Sequence, residues 1–261
     1  MSSEPPQKES IVTTLRPASR HRALFAAALL TGTSALTLAL ATPTQAASLC
    51  FNGPTRITVT ADGEINGTAE NDDIRCLRLA DRSTINGLGG DDTVRVLGTT
   101  ADVTVNGDDG NDTIFIRSLG GTKRINGGDG EDDITVTGGL SGTYDNRSAV
   151  SGGNGNDTLT VDTVGLQSEV HGDAGYDTLN ISTVGPGGRV EGNDGNDRLQ
   201  IGSNDTIVMA GDGDDIIEGP GGTRMHLDRS SYADGGNGTD TCRVNQPGTS
   251  NGNIGGCENT P

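Results

Sequence analysis

The chain of 261 residues has no tryptophan, three phenylalanines and three tyrosines. Leu, Ile, Val and Phe together supply only 52 side chains, too few for the broad core of an ordinary two-layer enzyme domain. Positive charge is equally scarce: 18 Lys and Arg stand against 36 Asp and Glu, for a formal net charge of −18. Such a field repels nucleic acid and anionic lipid and attracts cations. A chain this acidic and this poor in aliphatics normally stays unfolded, so its order must come from something other than a large apolar core. There is no C-x-x-C pair, and His171 and His226 stand alone, which leaves no zinc cluster.

What the chain has instead is glycine and aspartate, 42 Gly and 27 Asp against only 9 Glu. Asp is the carboxylate suited to tight glycine-containing turns, because its short side chain bonds the local backbone. Residues 1–46 differ from the rest. Arg16, Arg20 and Arg22 precede an Ala/Leu-rich run over 23–41, followed by Thr44-Gln45-Ala46. That is the order of a secretory signal peptide, with cleavage expected near Ala46. Thr31, Gly32, Thr33, Ser34 and Thr37 dilute the run and no stop-transfer pattern follows, so a membrane span in the mature protein is not expected. Leu49 before Cys50 is also wrong for a lipid anchor. The expected mature chain is secreted, extracellular, and more acidic still.

An internal repeat covers most of that mature chain. Gly127-Gly128-Asp129-Gly130-Glu131-Asp132-Asp133-Ile134, Gly152-Gly153-Asn154-Gly155-Asn156-Asp157-Thr158-Leu159 and Gly235-Gly236-Asn237-Gly238-Thr239-Asp240-Thr241-Cys242 all read G-G-x-G-x-D-x-U, where U is apolar. Looser copies carry the same sixth-position residue at Asp72, Asp92, Asp112, Asp177, Asp197 and Asp215. Successive sixth-position Asp residues are 20, 20, 20, 25, 20, 20, 18 and 25 apart, a register that scattered turns would not keep. After each Asp the chain alternates with period two, as in Val94-Arg95-Val96, Ile114-Phe115-Ile116 and Leu179-Asn180-Ile181, which predicts a short strand. Two residues before each motif a second apolar position recurs, at Ile65, Ile85, Val105, Ile125, Val150, Val170, Val190, Val208 and Ala233, and marks a second strand. The expected fold is all-β: a right-handed parallel β-roll or β-helix solenoid of about nine coils with a 20-residue period. The expected organisation is a signal peptide over 1–46, an N-terminal cap over 47–62, the β-roll over 63–245 and a C-terminal cap or tail over 246–261.

The motif also carries chemistry. Gly at the first, second and fourth positions (Gly127, Gly128, Gly130; Gly152, Gly153, Gly155; Gly235, Gly236, Gly238) frees the backbone to curl its carbonyls inward. The nine sixth-position residues, Asp72, Asp92, Asp112, Asp132, Asp157, Asp177, Asp197, Asp215 and Asp240, add hard anionic oxygens stacked about 4.8 Å apart. Left alone, that column repels itself. A cation between successive loops removes the repulsion, and an all-oxygen set of carboxylates and carbonyls suits calcium, whereas magnesium resists shedding its waters. Several Ca2+ ions are therefore the expected cofactor.

The nonapeptide resembles the calcium-binding repeat of the repeat-in-toxin, or haemolysin-type, family. The likeness covers residues 63–245. It implies that the first six motif residues form a calcium turn and the last three a short strand. It also implies ligand roles for the nine sixth-position Asp residues and for carbonyls of the early Gly positions. The chain departs from the family pattern in two ways. Family arrays set a motif on both sides of the roll, whereas one motif per coil here implies a single ladder along one side. Members exported through an uncleaved C-terminal signal lack an N-terminal one, so a different export route is implied.

Four cysteines allow three pairings. Cys50 and Cys76 lie at the start of the repeats, Cys242 and Cys257 at their end. About eight coil steps of roughly 4.8 Å separate those ends, while a disulfide needs Cα atoms within about 7 Å. Cys50–Cys76 and Cys242–Cys257 remain, as staples over the terminal coils of an exported solenoid.

Catalysis needs groups converging in a pocket, and the mature chain has one lysine, Lys123, and shallow loops. The nearest constellation, Ser168, His171 and Asp173, falls within the repeat register and is read as strand-edge chemistry rather than a triad. The reading is therefore a non-catalytic, secreted calcium-binding solenoid. Its alternatives are a calcium-stabilised polysaccharide-processing enzyme or an ice-binding solenoid. The latter is opposed by third motif positions such as Ala69, Gly89, Asp109 and Asp129, which form no uniform Thr or Asn rank. The two 25-residue intervals place Tyr144, Asp145, Asn146 and Arg147, and Arg224, His226, Arg229 and Tyr232, in enlarged turns. Loops on a rigid scaffold often carry recognition, which makes an extracellular glycan or surface polymer the partner to consider beside calcium itself.

Overall fold

The computed structural model of the protein describes residues 48–53, 55–56, 63–99, 102–228, 231–245 and 253–259. The signal-peptide segment, much of the N-terminal cap, Arg229 and residues 246–252 lie outside the described residues.

The chain winds into a parallel β-solenoid of about nine coils with a period near 20 residues. We number the coils 1 to 9 by their sixth-position Asp, from Asp72 to Asp240. Each coil gives one strand to a leading sheet before its Asp turn and one to a trailing sheet after it. Coil 5, for example, contributes Ser148–Asn154 and Thr158–Val164. Register between coils is residue for residue. Val150 lies between Ile125 and Val170 in the leading sheet, and Leu159 between Ile134 and Leu179 in the trailing sheet.

Alternation explains the interior. The pre-motif aliphatics Ile65, Ile85, Val105, Ile125, Val150, Val170, Val190, Val208 and Ala233 are all buried, facing trailing-sheet residues such as Ile114, Ile116, Leu159, Val161, Leu199 and Ile201. A thin aliphatic sandwich is thus repeated up the axis, which is how so few apolar residues suffice. The sequence reading missed the interior's polar margin. Ser83, Lys123, Ser148 and Ser168 are buried at the start of their leading strands. Lys123 Nζ donates to the Gly120 carbonyl at 2.6 Å.

Both expected disulfides are present, Cys50–Cys76 and Cys242–Cys257, with Cα separations of 4.1 and 5.8 Å. At the N-terminal end, Leu49–Asn52 pairs antiparallel with Asp73–Arg78. At the other end, Asn253–Gly255 adds a parallel strand to the leading sheet.

The longer intervals enlarge the side of the solenoid away from the motifs. The first makes a turn bridged between Thr143 and Asn146, with Tyr144 88% exposed at its tip. The second is mostly folded back. It forms a short 3-10 turn, Pro220–Gly222, and a strand, Met225–Leu227, that pairs with Arg198–Asn204 and Val244–Asn245 in the trailing sheet. At its root the buried Glu218 carboxylate is held by Arg198 and Arg243. Tyr232 sits in a leading strand and donates its hydroxyl to Asp234.

Candidate functional site

The turn of the motif is shorter than the family likeness implies. Positions one to three continue the leading strand, as Gly127, Gly128 and Asp129 end Lys123–Asp129. Only positions four to six make the bend, and the trailing strand starts at position seven. The fourth-position glycines need their freedom: Gly130, Gly155 and Gly238 have φ of 141°, 140° and 142°, a region essentially closed to other residues. The second position is more tolerant, since Leu88, Asp108, Asp173 and Asn193 occupy it at φ between 75° and 86°. The first-position glycines serve a different need. A Cβ on Gly152 would come 2.9 Å from Asp157 Cγ, and one on Gly235 would come 2.5 Å from Asp240 Cβ. In eight of the nine loops the first residue is Gly, which makes room for the carboxylate of the sixth; coil 8 has Ala210 there.

That carboxylate turns into the solenoid. Asp92, Asp112, Asp132, Asp157, Asp177, Asp197, Asp215 and Asp240 are each no more than 3% exposed, and Asp72 is 8% exposed. The eight from Asp92 to Asp240 are used the same way. The backbone N–H of Asp72 donates to Asp92 Oδ1 at 2.8 Å, that of Asp132 to Asp157 Oδ1 at 2.8 Å, and that of Asp197 to Asp215 Oδ1 at 2.7 Å. The ladder runs unbroken to the bond from Asp215 N to Asp240 Oδ1. It crosses the 18-residue and 25-residue intervals without change, because length is absorbed on the opposite side.

A second ladder runs beside it with reversed polarity. The fifth-position side chains Asn71, Asp91, Asn111, Asn156, Asn196 and Asp214 each accept the backbone N–H of the fifth residue in the next coil. Sequence reasoning missed this role, although Asn or Asp at position five in six of the nine coils was its visible signal.

The other oxygen of the sixth-position carboxylate has no such outlet. Oδ2 of Asp92, Asp112, Asp132, Asp157, Asp177, Asp197, Asp215 and Asp240 is buried without a hydrogen-bond partner. Burial, reinforced by neighbouring carboxylates and opposed by the N–H bond, raises their pKa values. Asp92, Asp157 and Asp197 move to about 6, and Asp132, Asp177 and Asp215 to about 7. Asp112 and Asp240 are raised for the same first reason.

The loop carbonyls stack from coil to coil. They run along the axis: the Gly152 carbonyl lies against Gly127 of the preceding coil, and those of Gly128 and Gly130 lie against Gly153 and Gly155 of the following one. Among the described residues, no three His, Cys, Asp or Glu side chains converge as a metal cluster. A cation in the ladder would draw on one unpartnered carboxylate oxygen per coil and otherwise on backbone oxygen. That donor set fits a hard ion and not zinc. Where position two is glycine in consecutive coils, the outer face is notched. One such groove is lined by Gly128, Asp129, Ser151, Gly153, Asn154 and Asp173, among others.

Ser168, His171 and Asp173 do not converge. Ser168 faces inward and donates to the Leu166 carbonyl, while His171 lies on the outer face between Glu169 and Glu191 and Asp173 accepts from Ser151. No helix of the described residues is long and apolar enough to cross a membrane. Comparison of the chain with protein-family models, with curated proteins and with solved structures returns no match.

Proposed function

We propose that the protein is a secreted, non-catalytic calcium-binding solenoid whose ordered state is secured by cations along the aspartate ladder. The observation that carries this reading is the column of eight buried, unpartnered carboxylate oxygens. Buried charge without a partner is strongly unfavourable, and here it recurs coil after coil on a chain with little apolar core to offset it. Calcium would supply the missing positive charge with oxygen coordination. The residues that would hold it are Asp92 through Asp240, with backbone carbonyls of the flanking loops. The two disulfides accord with a non-reducing compartment, and the segment over 1–46, with Arg16, Arg20 and Arg22 ahead of an Ala/Leu-rich run, supports export.

A calcium titration followed by far-ultraviolet circular dichroism tests this reading, with Asp157→Asn as its control. The Asn oxygen can still accept the Asp132 N–H, and the substitution removes the buried charge. Chelated parent should lose β signal and recover it cooperatively in millimolar calcium. The Asp157→Asn chain should hold more β structure than the parent without calcium and respond less to it. A parent whose spectrum and Tm ignore both chelator and calcium would refute the proposal.

A further inference from the structure

The aspartate ladder is polar, so its two ends need different chemistry. At the C-terminal end, the Asp240 N–H needs a carboxylate that a tenth coil would have provided. At the N-terminal end, Asp72 Oδ1 needs the donor that a preceding coil would have provided. Both needs are met by side chains outside the repeats. Asp240 N donates to Glu258 Oε2 at 2.7 Å, and Asn52 donates its amide to Asp72 Oδ1 while accepting the Asp73 N–H at 3.0 Å.

The C-terminal tail achieves this as a truncated tenth coil. Tyr232, Ala233 and Asp234 pair in parallel with Asn253, Ile254 and Gly255. Gly256 lies against Gly235 as Gly172 lies against Gly152, which puts Gly256 in position one. Asn259 N donates to the Asp240 carbonyl at 3.0 Å, the bond that Thr93 N makes to the Asp72 carbonyl at 2.8 Å, which puts Asn259 in position seven. Glu258 therefore stands in position six, two residues after its first-position glycine instead of five. The extra methylene of Glu over Asp spans part of what the shortened loop cannot. The residue before it is Cys257, bonded to Cys242 in the apolar slot of coil 9.

We propose that Glu258 is the terminating carboxylate of the ladder and that the Cys242–Cys257 disulfide is a redox latch holding it in register. Three of the four cysteines, Cys50, Cys76 and Cys242, are at most 1% exposed, and Cys257 is half-buried. A thiol can therefore attack at Cys257 first, since exchange requires access to a sulfur. Attack there forms a mixed disulfide with Cys257 and releases the Cys242 thiolate. A second thiol from the same reductant then frees Cys257. The tail carrying Glu258 then keeps only its backbone pairing through Asn253–Gly255 and Asn259, too little to hold the shortened loop in register, and the Asp240 N–H loses its acceptor. The N-terminal disulfide, with both cysteines buried, stays closed. The assignment rests on hydrogen bonds and register, and stands whether or not calcium occupies the ladder.

Amide hydrogen exchange on the full chain, at one fixed calcium concentration, tests it, with inner-coil amides such as Asp157 N as the internal reference. Glu258→Ala with both disulfides closed should speed exchange at the Asp240 amide by roughly ten- to a hundred-fold, the loss of one bond to a charged acceptor. Glu258→Gln, which retains an acceptor, should keep most of the protection. Mild reduction followed by alkylation should label Cys242 and Cys257 before Cys50 and Cys76, and should reproduce the Glu258→Ala pattern. Unchanged Asp240 protection in Glu258→Ala would overturn the proposal, as would first labelling at Cys50 and Cys76. If Cys242→Ser/Cys257→Ser lost protection in the inner coils as well, the disulfide would hold up the whole array and the latch would be disproved. Dependence of folding on calcium is read separately, from the reference amides.

Discussion

Glycine-to-alanine substitution at three loop positions should produce three different costs, each set by what the new methyl group meets. At Gly175, in position four of coil 6, φ is 144° and a Cβ would lie 2.5 Å from the Gly155 carbonyl carbon and closer still to its oxygen. The obstacle is backbone, which cannot rotate away. Forcing a non-glycine residue into that region costs about 1–3 kcal/mol, and overpacking adds about 1–3 kcal/mol. Opening the coils also weakens the bond from Gly175 N to the Asp194 carbonyl, 2.8 Å long, worth about 1 kcal/mol. Reduced freedom of the unfolded chain returns about 0.4–1 kcal/mol, so the net loss should be about 2–6 kcal/mol. At Gly152 the backbone angle is ordinary and part of the obstruction is the Asp157 side chain, so about 1–3 kcal/mol is expected. Ala210 already occupies that position in coil 8, which shows that the site can adjust. At Gly89 the nearest atom to a new Cβ is 3.9 Å away, and the change should be neutral or stabilising by up to about 1 kcal/mol. Urea melts at saturating calcium, read by circular dichroism with m held common, give the ranking. If Gly175→Ala and Gly89→Ala lie within about 1 kcal/mol of each other, coil contact through the fourth-position glycine is not what holds the loops.

The pH response follows from the raised aspartate pKa values. Because Asp132, Asp177 and Asp215 are held near 7 and Asp92, Asp157 and Asp197 near 6, the fold favours their protonated forms. Their stabilisation is complete below the unfolded value of about 4 and is lost as pH rises through 6 to 7. The chelated chain should therefore gain β signal between pH 7 and 5, and a steady loss over that window would contradict the buried ladder. The fifth-position ladder predicts a stabilising change: Tyr176 is exposed and, unlike Asn156 or Asn196, accepts no N–H from the next coil. Tyr176→Asn should extend the ladder to the Asn196 amide and raise stability by about 0.5–1.5 kcal/mol, and an unchanged urea midpoint would argue against it.

Much of this architecture is legible in the sequence because the repeat multiplies every local signal. One Val at 150 says little, but the same aliphatic two residues before each motif fixes a strand, its inward face and its parallel partner at once. The cysteine pairing is equally legible, since solenoid length forbids the alternatives. The direction of the aspartate is harder to read. A sixth-position Asp at the end of a Gly-rich loop reads as a ligand without a direction, and its inward turn becomes visible only once Gly152 is seen to leave the space that Asp157 fills. The tenth coil is hidden for a related reason. Gly256 and Glu258 are too close together to match the motif, and only pairing through Ile254 and Asn259 reveals their register. The second long interval reads as a projecting loop because its strand, Met225–Leu227, is too short to show periodicity.

Reversed polarity in the two side-chain ladders explains why positions five and six both demand a short Asx side chain yet differ in type. From coil 2 onward, position six receives its N–H from the preceding coil inside the sandwich, beside a glycine in every coil but the eighth. Asp is kept there in all nine coils even though its second oxygen finds no partner in eight. If the ladder served hydrogen bonding alone, Asn would do it as well, since its oxygen accepts the same bond without the buried charge. Position five has only that task, faces solvent, and does use Asn and Asp interchangeably, with Glu131, Tyr176 and Thr239 tolerated where the ladder breaks. The contrast between two neighbouring ladders in one chain is thus the internal control on the charge. An expensive carboxylate at the buried position, where the cheaper amide suffices next door, supports the proposal that its negative charge has a task, with a cation as the partner that would give that charge a use.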